Sequence, residues 1–381
     1  MRLVLFTQNE GPFRMRWMDE LARYMDIQIY HIGEYAADVN MAYINYSPVR
    51  AKIADISKTV AGIKLYDIRK IELKEDDLIL LDGYGFIAQQ LIALLFIMRR
   101  KKYGITADGG FLSNRESRIK YVLKKLIISN ASFFFSTCMD MDRLFCHYGA
   151  KKDKIYRHYF SNITSKDILP EPASKERKWE LRQKLGLEEG LIFITVGKLI
   201  IRKGFDILSD ALDLLDLKAK TWIDEKKRKR WKNAVVLIIG GNVGVDYELL
   251  NYKFNNKIRL FPFKEKNVLN QYYEASDVFV LPTRRDEWGL VVGEAMACGL
   301  PVITTDKCLA GKAMVKDGKN GYLVASNDAE GLSVAMDKMI IADYCKMGTK
   351  SIKVAQRYSI EKASKEDIEA LKVEYNLKCR G

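Results

Sequence analysis

Apolar runs and helical patterns alternate along almost the whole chain, and this alternation is the feature that most limits the fold. The first run, Arg2–Phe6, is continuous and apolar-rich, which is typical of a strand buried on both faces of a sheet. Further strands are predicted in the first half at Ile27–Ile32, Ile63–Tyr66, Leu78–Leu81, Ile105–Ala107 and Ser132–Ser136. Those predicted in the second half are Leu191–Val196, Val235–Ile239, Ile258–Phe261, Val278–Leu281, Val302–Thr304 and Gly321–Val324. Strands that alternate with helices favour parallel sheets covered by helices on both faces.

Helical spacing of apolar residues separates most of these strands. The predicted helices are a first one around Met15–Ala22, then Ala88–Met98, Arg118–Ile128, Met139–Tyr148, Phe205–Leu215, Asp246–Tyr252, Leu269–Ala275, Leu290–Cys298 and Leu332–Met339. The tail after Tyr358 is again helical in pattern and contains no predicted strand.

The length of 381 residues suits two domains of ordinary size. The best linker candidate is Ile168–Lys178, because Pro170 and Pro172 stand there among charged residues. We therefore predict two tandem, doubly wound, Rossmann-like α/β domains, over residues 1–170 and 171–359, that face each other across a cleft. A helix over about residues 360–381 is expected to pack back on the first domain.

The composition favours anionic partners without choosing among them. Lys and Arg number 63 and Asp and Glu 49, so the formal net charge is +14, which suits phosphates, nucleic acid or an acidic membrane surface. The cysteines form no C-x-x-C pair and only three histidines are present, so we expect no metal site and reduced thiols, as in a cytosolic protein. The N-terminus lacks the pattern of a signal peptide. The most apolar segment, Phe86–Met98, is too short to span a bilayer and is predicted to be a core helix followed by four cations, Arg99–Lys102.

The stretch Arg285–Ile303 has the clearest chemical features. It is predicted to be a loop, a short helix that starts near Gly289, a stop at Gly299 and a strand. The unpaired N–H groups at such a helix start attract a phosphate. Acids beside a phosphate site are better suited to accept hydrogen bonds from the hydroxyls of a ribose or a sugar, and three are present: Asp286, Glu287 and Glu294.

A second candidate site, Gly197–Gly204, follows the first strand of the second domain. Lys198, Arg202 and Lys203 supply three cations just before a helix, which suits a diphosphate, although a solvated basic turn explains this segment equally well by itself. The turn at Gly240 and Gly241 follows the next strand and is more often simply a turn.

Two positions in the first domain are weaker candidates. Asp108 follows the strand Ile105–Ala107, where it could serve as a base or bind an acceptor hydroxyl, although a turn aspartate is the somewhat more common explanation. Gly11 follows the first strand, where it could let the backbone approach a ligand or simply form a turn. In the second domain, the basic run Lys226–Lys232 could bind nucleic acid or anionic lipid, but a solvated helix is the more common explanation.

These motifs together resemble the retaining glycosyltransferases of family 4, the glycosyl transferases of group 1, which have the GT-B fold of two Rossmann-like domains. The resemblance is strong from Val196 to Val324 and looser in the first half. Asp286 and Glu294, with seven residues between them, match the acid–x7–acid signature that continues as A-M-A-x-G-x-P-V, whereas Glu287 fills an intervening position. Gly197–Gly204 matches the pattern G-R-L-x-x-R-K-G, with Lys198 in place of the first arginine.

The resemblance implies that the second domain binds a nucleoside-diphosphate sugar, UDP- or GDP-linked, as the donor substrate. Glu294 would hold the ribose hydroxyls and Asp286 the transferred sugar. The amides of Gly289, Leu290 and Val291 would bind the phosphate. The family pattern over Gly197–Gly204 also puts Lys198 and Lys203 on the departing diphosphate. We further expect the backbone near Phe263 to recognise the base, and the glycines Gly11, Gly197 and Gly241 to let the backbone approach the donor. No Asp-x-Asp metal pattern lies in a suitable loop, and the lysines would take the place of a metal.

The leading interpretation is a retaining, metal-independent transferase that extends a glycan or lipid-linked acceptor in bacterial surface polysaccharide synthesis. Asp108 would lie on the acceptor side, and the enzyme would work in the cytoplasm at the inner face of the cell membrane. An anionic membrane surface is a further candidate partner, and no specific nucleic acid is expected. The alternatives are a phosphorylase or an epimerase and, from another class, a basic protein that binds nucleic acid or an anionic membrane without transferase activity.

Overall fold

The computed structural model describes residues 1–8, 11–32, 50–60, 63–112, 115–240 and 253–379. The chain divides into two compact units. The first unit consists of Met1–Asn162 with Tyr358–Gly381, and the second unit is Ile163–Arg357. The boundary predicted from the sequence lies at residues 170–171, a few residues further along the chain.

A parallel sheet forms the centre of the first unit. Its strands among the described residues are β1 Arg2–Thr7, β2 Asp26–His31, β3 Lys52–Asp55, β6 Leu78–Asp82, β7 Gly104–Ala107, β8 Phe133–Ser136 and β9 Ile155–Arg157. Their order in the sheet is β3-β2-β1-β6-β7-β8-β9, so the direction of strand addition changes between β1 and β6. The predicted strand Ile63–Tyr66 exists as β5, but it pairs antiparallel with β4, Ser57–Val60, outside the large sheet. The edge position next to β2 is occupied by β3, which was not predicted because it has only two apolar residues and shows no apolar pattern.

Helices flank this sheet and include the C-terminal one. They are α1 Pro12–Leu21, α2 Ile87–Met98, α3 Arg118–Ser129, α4 Met139–His147 and α13 Ile360–Cys379. Helix α13 packs on α1, where the Trp17 indole N–H donates to an Asp367 carboxylate oxygen at 2.8 Å. Both groups are buried, so this hydrogen bond ties the C-terminal helix into the core of the first unit.

The second unit has a parallel sheet of the same kind. Its strands in the described part of the chain are β10 Ile192–Val196, β11 Val235–Ile239, β12 Ile258–Phe261, β13 Val278–Leu281, β14 Val302–Thr305 and β15 Gly321–Val324. The order is β12-β11-β10-β13-β14-β15, so the chain builds outward from β10 on one side and then returns to build from β13 on the other. Continuous apolar runs bounded by glycines or charges made these strands easy to predict, and the predicted bounds differ from the observed ones by at most one residue.

The helices of the second unit cover both faces of its sheet. They are α5 Lys175–Leu185, α6 Phe205–Ala219, α7 Glu225–Lys232, α8 Lys266–Ala275, α9 Leu290–Ala297, α10 Leu309–Met314, α11 Ala329–Ile340 and α12 Tyr344–Arg357. The predicted helix Asp246–Tyr252 lies outside the described residues. The last four residues of the predicted linker, Lys175–Lys178, instead form the first turn of α5, where the Ser174 hydroxyl accepts from the Arg177 amide at 3.2 Å. No helix in the described ranges has both the length and the apolar composition needed to cross a membrane.

A buried aspartate fastens α5 to the sheet of the second unit. Asp277, just before β13, accepts hydrogen bonds from Lys178 Nζ at 2.7 Å, Arg182 at 2.9 Å and the Ile192 amide at 2.9 Å. Burial alone would raise the pKa of Asp277, but the charges of Lys178 and Arg182 outweigh it and hold the pKa below its ordinary value. This carboxylate therefore joins a helix and two strands, and its loss leaves two cations without their common partner.

We expect Asp277→Ala to lower the free energy of unfolding of the second unit by about 3 kcal/mol, because it breaks a largely buried ion pair from one side. Urea unfolding of the full chain followed by tryptophan fluorescence reports mainly this unit, since four of the five tryptophans, Trp179, Trp222, Trp231 and Trp288, belong to it and only Trp17 belongs to the first unit. Glu180→Ala on the same helix is the matched control, because Glu180 lies 3.9 Å from Arg177 at a half-exposed position. The control should change stability by less than about 1 kcal/mol. Equal effects of the two substitutions would contradict this view of Asp277.

Candidate functional site

The loop after β10 contains the basic turn predicted from the sequence. Ile201–Lys203 forms one turn of 3-10 helix, and Gly204 then starts α6 with φ at +72°. A Cβ atom at Gly204 would collide with the carbonyl oxygen of Pro282, in the loop after β13. Glycine is therefore required here both for the left-handed backbone and for the close approach of the two loops.

Hydrogen bonds hold these two loops together. The Thr283 hydroxyl donates to the Arg202 carbonyl oxygen at 3.0 Å, and the Arg284 amide donates to the same oxygen at 2.8 Å. The Arg284 guanidinium also pairs with Asp206 in the first turn of α6 at 2.6 Å. The two loops follow neighbouring parallel strands, since Phe193 and Ile194 of β10 pair with Val278 and Phe279 of β13. They therefore form one continuous surface at the carboxyl edge of the sheet.

The centre of this surface is an ion pair between two residues predicted for the site. Lys203 Nζ lies 2.6 Å from Asp286 Oδ2, and each side chain is only 14% exposed. Arg202 lies further from the same carboxylate, at 3.7 Å. The aliphatic stem of Lys203 passes over Gly197, where a Cβ atom would be 3.3 Å from the Lys203 Cε. The structure thus brings a cation and an acid from two different strand ends into direct contact.

The start of α9 lies directly after this acid. Gly289 precedes the first helical residue, Leu290, with φ at +98°, and a Cβ atom there would be 2.7 Å from the sulfur of Cys308. No described side chain caps this helix start, so the backbone N–H groups of its first turn are suited to an anion. Burial, together with the charge of Asp286, raises the pKa of Cys308 to about 12, so its thiol stays neutral near pH 7 and serves packing.

Glu294 lies one turn into α9 at a half-buried position. One of its carboxylate oxygens accepts a hydrogen bond from the Tyr273 hydroxyl at 3.2 Å. Tyr273 itself is buried in α8, so this contact fixes the direction of the carboxylate from a neighbouring helix. An oriented and partly accessible carboxylate is suited to bind hydroxyl groups.

The other predicted residues of the second unit lie at strand ends of the same sheet. Lys198 is exposed after β10, and Phe263 is 37% exposed after β12. A Cβ atom at Gly240, after β11, would be 2.9 Å from the Gly197 carbonyl oxygen, so these two strand ends also approach closely. Gly241 lies outside the described residues. In open α/β sheets the ligand crevice lies where strand order reverses, and here that is the β10–β13 position occupied by Lys203 and Asp286.

The candidate residues of the first unit lie beside a buried arginine that the sequence analysis did not single out. Asp108 follows β7, as predicted, and its carboxylate is ion-paired with Arg14 of α1, whose side chain is only 1% exposed. Gly11 precedes α1, and its carbonyl oxygen accepts the amide of Arg14 at 2.9 Å. The one available signal for Arg14 is its place in the first turn of a helix, where a cation opposes the helix dipole and needs a partner.

Arg14 faces a second carboxylate as well. Its guanidinium lies 2.9 Å from Asp82 at the end of β6, and the Thr7 hydroxyl donates to Asp82 at 2.6 Å. Burial raises the pKa of Asp82 to about 6 against the opposing charge of Arg14, and the charge of Asp108 adds to the rise. The physical cause is that one guanidinium cannot fully compensate two carboxylates in a buried place. The cluster lies at the point of the first sheet where strand order reverses, between β1 and β6.

We expect the stability conferred by Asp82 to depend on pH in a defined direction. The pKa of Asp82 in the folded chain, about 6, is above its ordinary value of 3.8. The contribution of Asp82 to the free energy of unfolding is therefore complete below pH 4 and is lost as the pH rises through 6. The melting temperature of the wild type minus that of Asp82→Asn should therefore fall between pH 4 and pH 7, by the equivalent of on the order of 1–3 kcal/mol. Asp153→Asn, at an exposed position, controls for the loss of one carboxylate. A difference that stayed constant or rose with pH would contradict the assignment.

Most of the second unit matches a known family model. Residues 177–357 match the model of the family described as glycosyl transferases group 1. The chain is 29% identical over 192 residues to an uncharacterized glycosyltransferase of Haemophilus influenzae, which covers 49% of this chain and 50% of that protein. It is 30% identical over 203 residues to a D-inositol 3-phosphate glycosyltransferase of Streptomyces bingchenggensis, covering 49% and 42% respectively. The chain thus spans about half the length of the curated relatives it matches.

Solved structures resemble the fold over the whole chain. Anabaena Alr3699/HepE in complex with UDP has a TM-score of 0.69 at 17% identity and covers 98% of this chain and 100% of its own. Sucrose-phosphate synthase from Thermosynechococcus elongatus has a TM-score of 0.69 at 16% identity and covers all of both chains, at 100% each. This likeness confirms the fold class predicted from the sequence, two parallel-sheet, Rossmann-like α/β domains. Over residues 177–357, the predicted resemblance to the glycosyl transferases of group 1 is likewise confirmed.

Proposed function

We propose that this protein is a glycosyltransferase that binds a nucleoside-diphosphate sugar on its second unit. The observation that carries the proposal is the grouping of Lys203, Asp286 and the uncapped start of α9 at the β10–β13 position. A cation and free amides suit the diphosphate, and adjacent carboxylates suit hydroxyls. UDP is the first nucleotide to consider, because Alr3699/HepE has been solved with UDP and with UDP-glucose.

Each donor group then has a partner of suitable chemistry. The diphosphate binds Lys203, Lys198 and the amides of Gly289, Leu290 and Val291. Glu294, oriented by Tyr273, accepts the ribose hydroxyls. Gly197 lets the backbone approach the nucleotide, and Phe263 lies on the side of the base.

Donor binding would break the ion pair between Lys203 and Asp286. The two charges satisfy each other at 2.6 Å. An arriving diphosphate competes for the Lys203 ammonium and leaves the Asp286 carboxylate to accept hydrogen bonds from the sugar. Asp286 then aligns the sugar while Lys203 serves the leaving group.

The proposed reaction is transfer with retention of anomeric configuration. The bond from the anomeric carbon to the diphosphate oxygen breaks through an oxocarbenium-like transition state, and the acceptor oxygen bonds to the same face. The acceptor proton passes to the departing phosphate oxygen, so atoms and charge balance. Lys198 and Lys203 stabilise the charge that grows on the diphosphate, a contribution that in a site closed to water is worth several kcal/mol. In this mechanism the two lysines perform the task without a metal ion.

We place the acceptor near Asp108 of the first unit. Arg14 fixes the Asp108 carboxylate by an ion pair, and the Asp108 side chain remains 29% exposed, so it is able to accept a hydrogen bond from an incoming hydroxyl. The acceptor class we propose is a growing glycan or a lipid-linked sugar of a bacterial surface polysaccharide.

The contacts of the basic helix α7 do not favour nucleic-acid binding as a second function. Lys227 is paired with Asp337 at 2.5 Å and lies 4.3 Å from the Trp222 ring centre, and Arg230 lies 5.0 Å from that of Tyr344. These cations therefore stabilise the second unit internally. Binding to nucleic acid that fell steeply with salt, without turnover of any nucleotide sugar, would instead support the alternative.

The direct test compares two glutamates of the same stretch, Glu287 and Glu294, which are seven positions apart. The full chain is screened with UDP, GDP and their sugars for thermal stabilisation and for release of free nucleoside diphosphate. Glu294→Ala should weaken nucleotide binding and kcat/KM by about 10- to 100-fold, because hydrogen bonds to a charged acceptor are lost. Glu287→Ala is the matched control, since Glu287 is half-exposed and pairs with Arg285 at the surface at 2.9 Å. Near wild-type turnover in Glu294→Ala, with normal folding, would overturn the donor-site assignment.

A further inference from the structure

We propose that helices α2 and α3 of the first unit form a docking surface for an anionic phospholipid membrane. We call it the α2–α3 surface. It consists of the exposed apolar residues Ile87, Leu91, Met98, Ile119, Val122 and Leu126 and of the cations on α3 and directly after α2. The inference stands independently of the donor site, which lies in the second unit.

Both helices expose a stripe of large apolar side chains. On α2, Ile87 is 70% exposed, Leu91 52% and Met98 75%. On α3, Ile119 is 82% exposed and Val122 61%. Each set follows helical spacing, so each helix has one apolar face directed outward.

The core of the first unit does not need these stripes. Helix α2 already buries Ala88, Ile92 and Phe96 on its other face, and α3 buries Ile127 and Ile128. Almost all residues of α2 are apolar, which predicts a core helix, but one face of α2 is exposed and corrects that prediction. A helix that is apolar on its outer side as well needs another apolar environment.

The topology places the two stripes side by side. Strands β6, β7 and β8 are parallel neighbours in that order, and α2 and α3 are the crossovers between them. Right-handed crossovers that proceed in one direction put both helices on the same face of the sheet, and α2 and α3 are in contact. The stripes therefore combine into one surface.

Cations accompany the apolar residues without any acid on these segments. Helix α2 and the Arg99–Lys102 segment after it contribute four cations, and α3 contributes Arg118, Lys120, Lys124 and Lys125. Lys124 is paired with Glu116 at 2.6 Å, whereas Lys120 and Lys125 are exposed. Apolar residues that enter the acyl boundary and lysines at the level of the phosphates are the pattern of a helix lying in a membrane interface.

The contrast with α7 supports a lipid partner for this surface in particular. Helix α7 is more basic, with six cations among eight residues, but its one large apolar residue, Trp231, is buried. Charge alone gives weak, strongly screened attraction to a bilayer, whereas charge with exposed apolar residues gives insertion. A membrane at this surface would also bring a lipid-linked acceptor to the first unit.

The test measures co-sedimentation of the full chain with vesicles, in the absence of nucleotide. Vesicles of phosphatidylglycerol and phosphatidylcholine in equal parts should bind the chain, and vesicles of phosphatidylcholine alone should bind it at least about tenfold more weakly. The double variants Ile119→Ser/Val122→Ser and Lys120→Glu/Lys125→Glu should each reduce the partition coefficient for the anionic vesicles about tenfold or more. Circular dichroism confirms that each variant is folded.

Matched controls lie in the second unit. Ile223→Ser removes an apolar side chain that is 96% exposed, and Lys226→Glu/Lys229→Glu reverses two exposed cations of α7. Both controls should bind vesicles like the wild type. Equal losses in controls and α2–α3 variants, or no binding by the wild type, would overturn the proposal. So would a dimer of the wild type that Ile119→Ser/Val122→Ser dissociates, because the surface would then join two copies of the chain. Vesicle binding by a chain that transfers no sugar would leave this proposal intact while refuting the proposed function.

Discussion

The parallel pairing of β10 with β13 is the constraint on which the candidate site depends. Strand order reverses there, so the chain leaves these two neighbouring strands toward opposite sides of the sheet, and their carboxyl ends are left uncovered by a crossover. Gly204 lets one loop touch the other, and the ion pair of Lys203 with Asp286 closes the contact. Side chains 83 positions apart in the chain become a single chemical unit for this reason.

The first unit also places charged residues where its strand order reverses, but it uses a different set of charges. Its strand order reverses between β1 and β6, and the two strands end in Thr7 and Asp82, which are hydrogen-bonded to each other. Arg14 enters from the following helix and faces Asp82 and Asp108 together. The second unit thus places two cations beside one aspartate, with Lys203 in direct contact with Asp286 and Arg202 further away. The first unit surrounds one buried arginine with an excess of carboxylates, which is why a proton is retained on Asp82 to higher pH.

Features encoded locally were predictable from the sequence, and features that depend on tertiary contacts were not. Continuous apolar runs predicted buried strands such as Val235–Ile239, and Gly289 predicted the start of α9. Strand β3 gave no pattern because it lies at the edge of its sheet, with largely exposed side chains. Arg14 resembled an ordinary surface residue of a helix, because only the folded chain shows what surrounds it. The roles of Lys203 and Asp286 as donor-binding residues remain predictions, although their contact is now defined.

A crystal structure of the full chain with UDP would test the proposed donor site most directly. We predict that the diphosphate lies at the β10–β13 position, within hydrogen-bond distance of Lys203 Nζ and of the amides at the start of α9. We also predict the ribose hydroxyls on Glu294 and a longer distance between Lys203 and Asp286 than the present 2.6 Å. UDP bound elsewhere, with the Lys203–Asp286 pair intact and the start of α9 unoccupied, would contradict the proposed donor site.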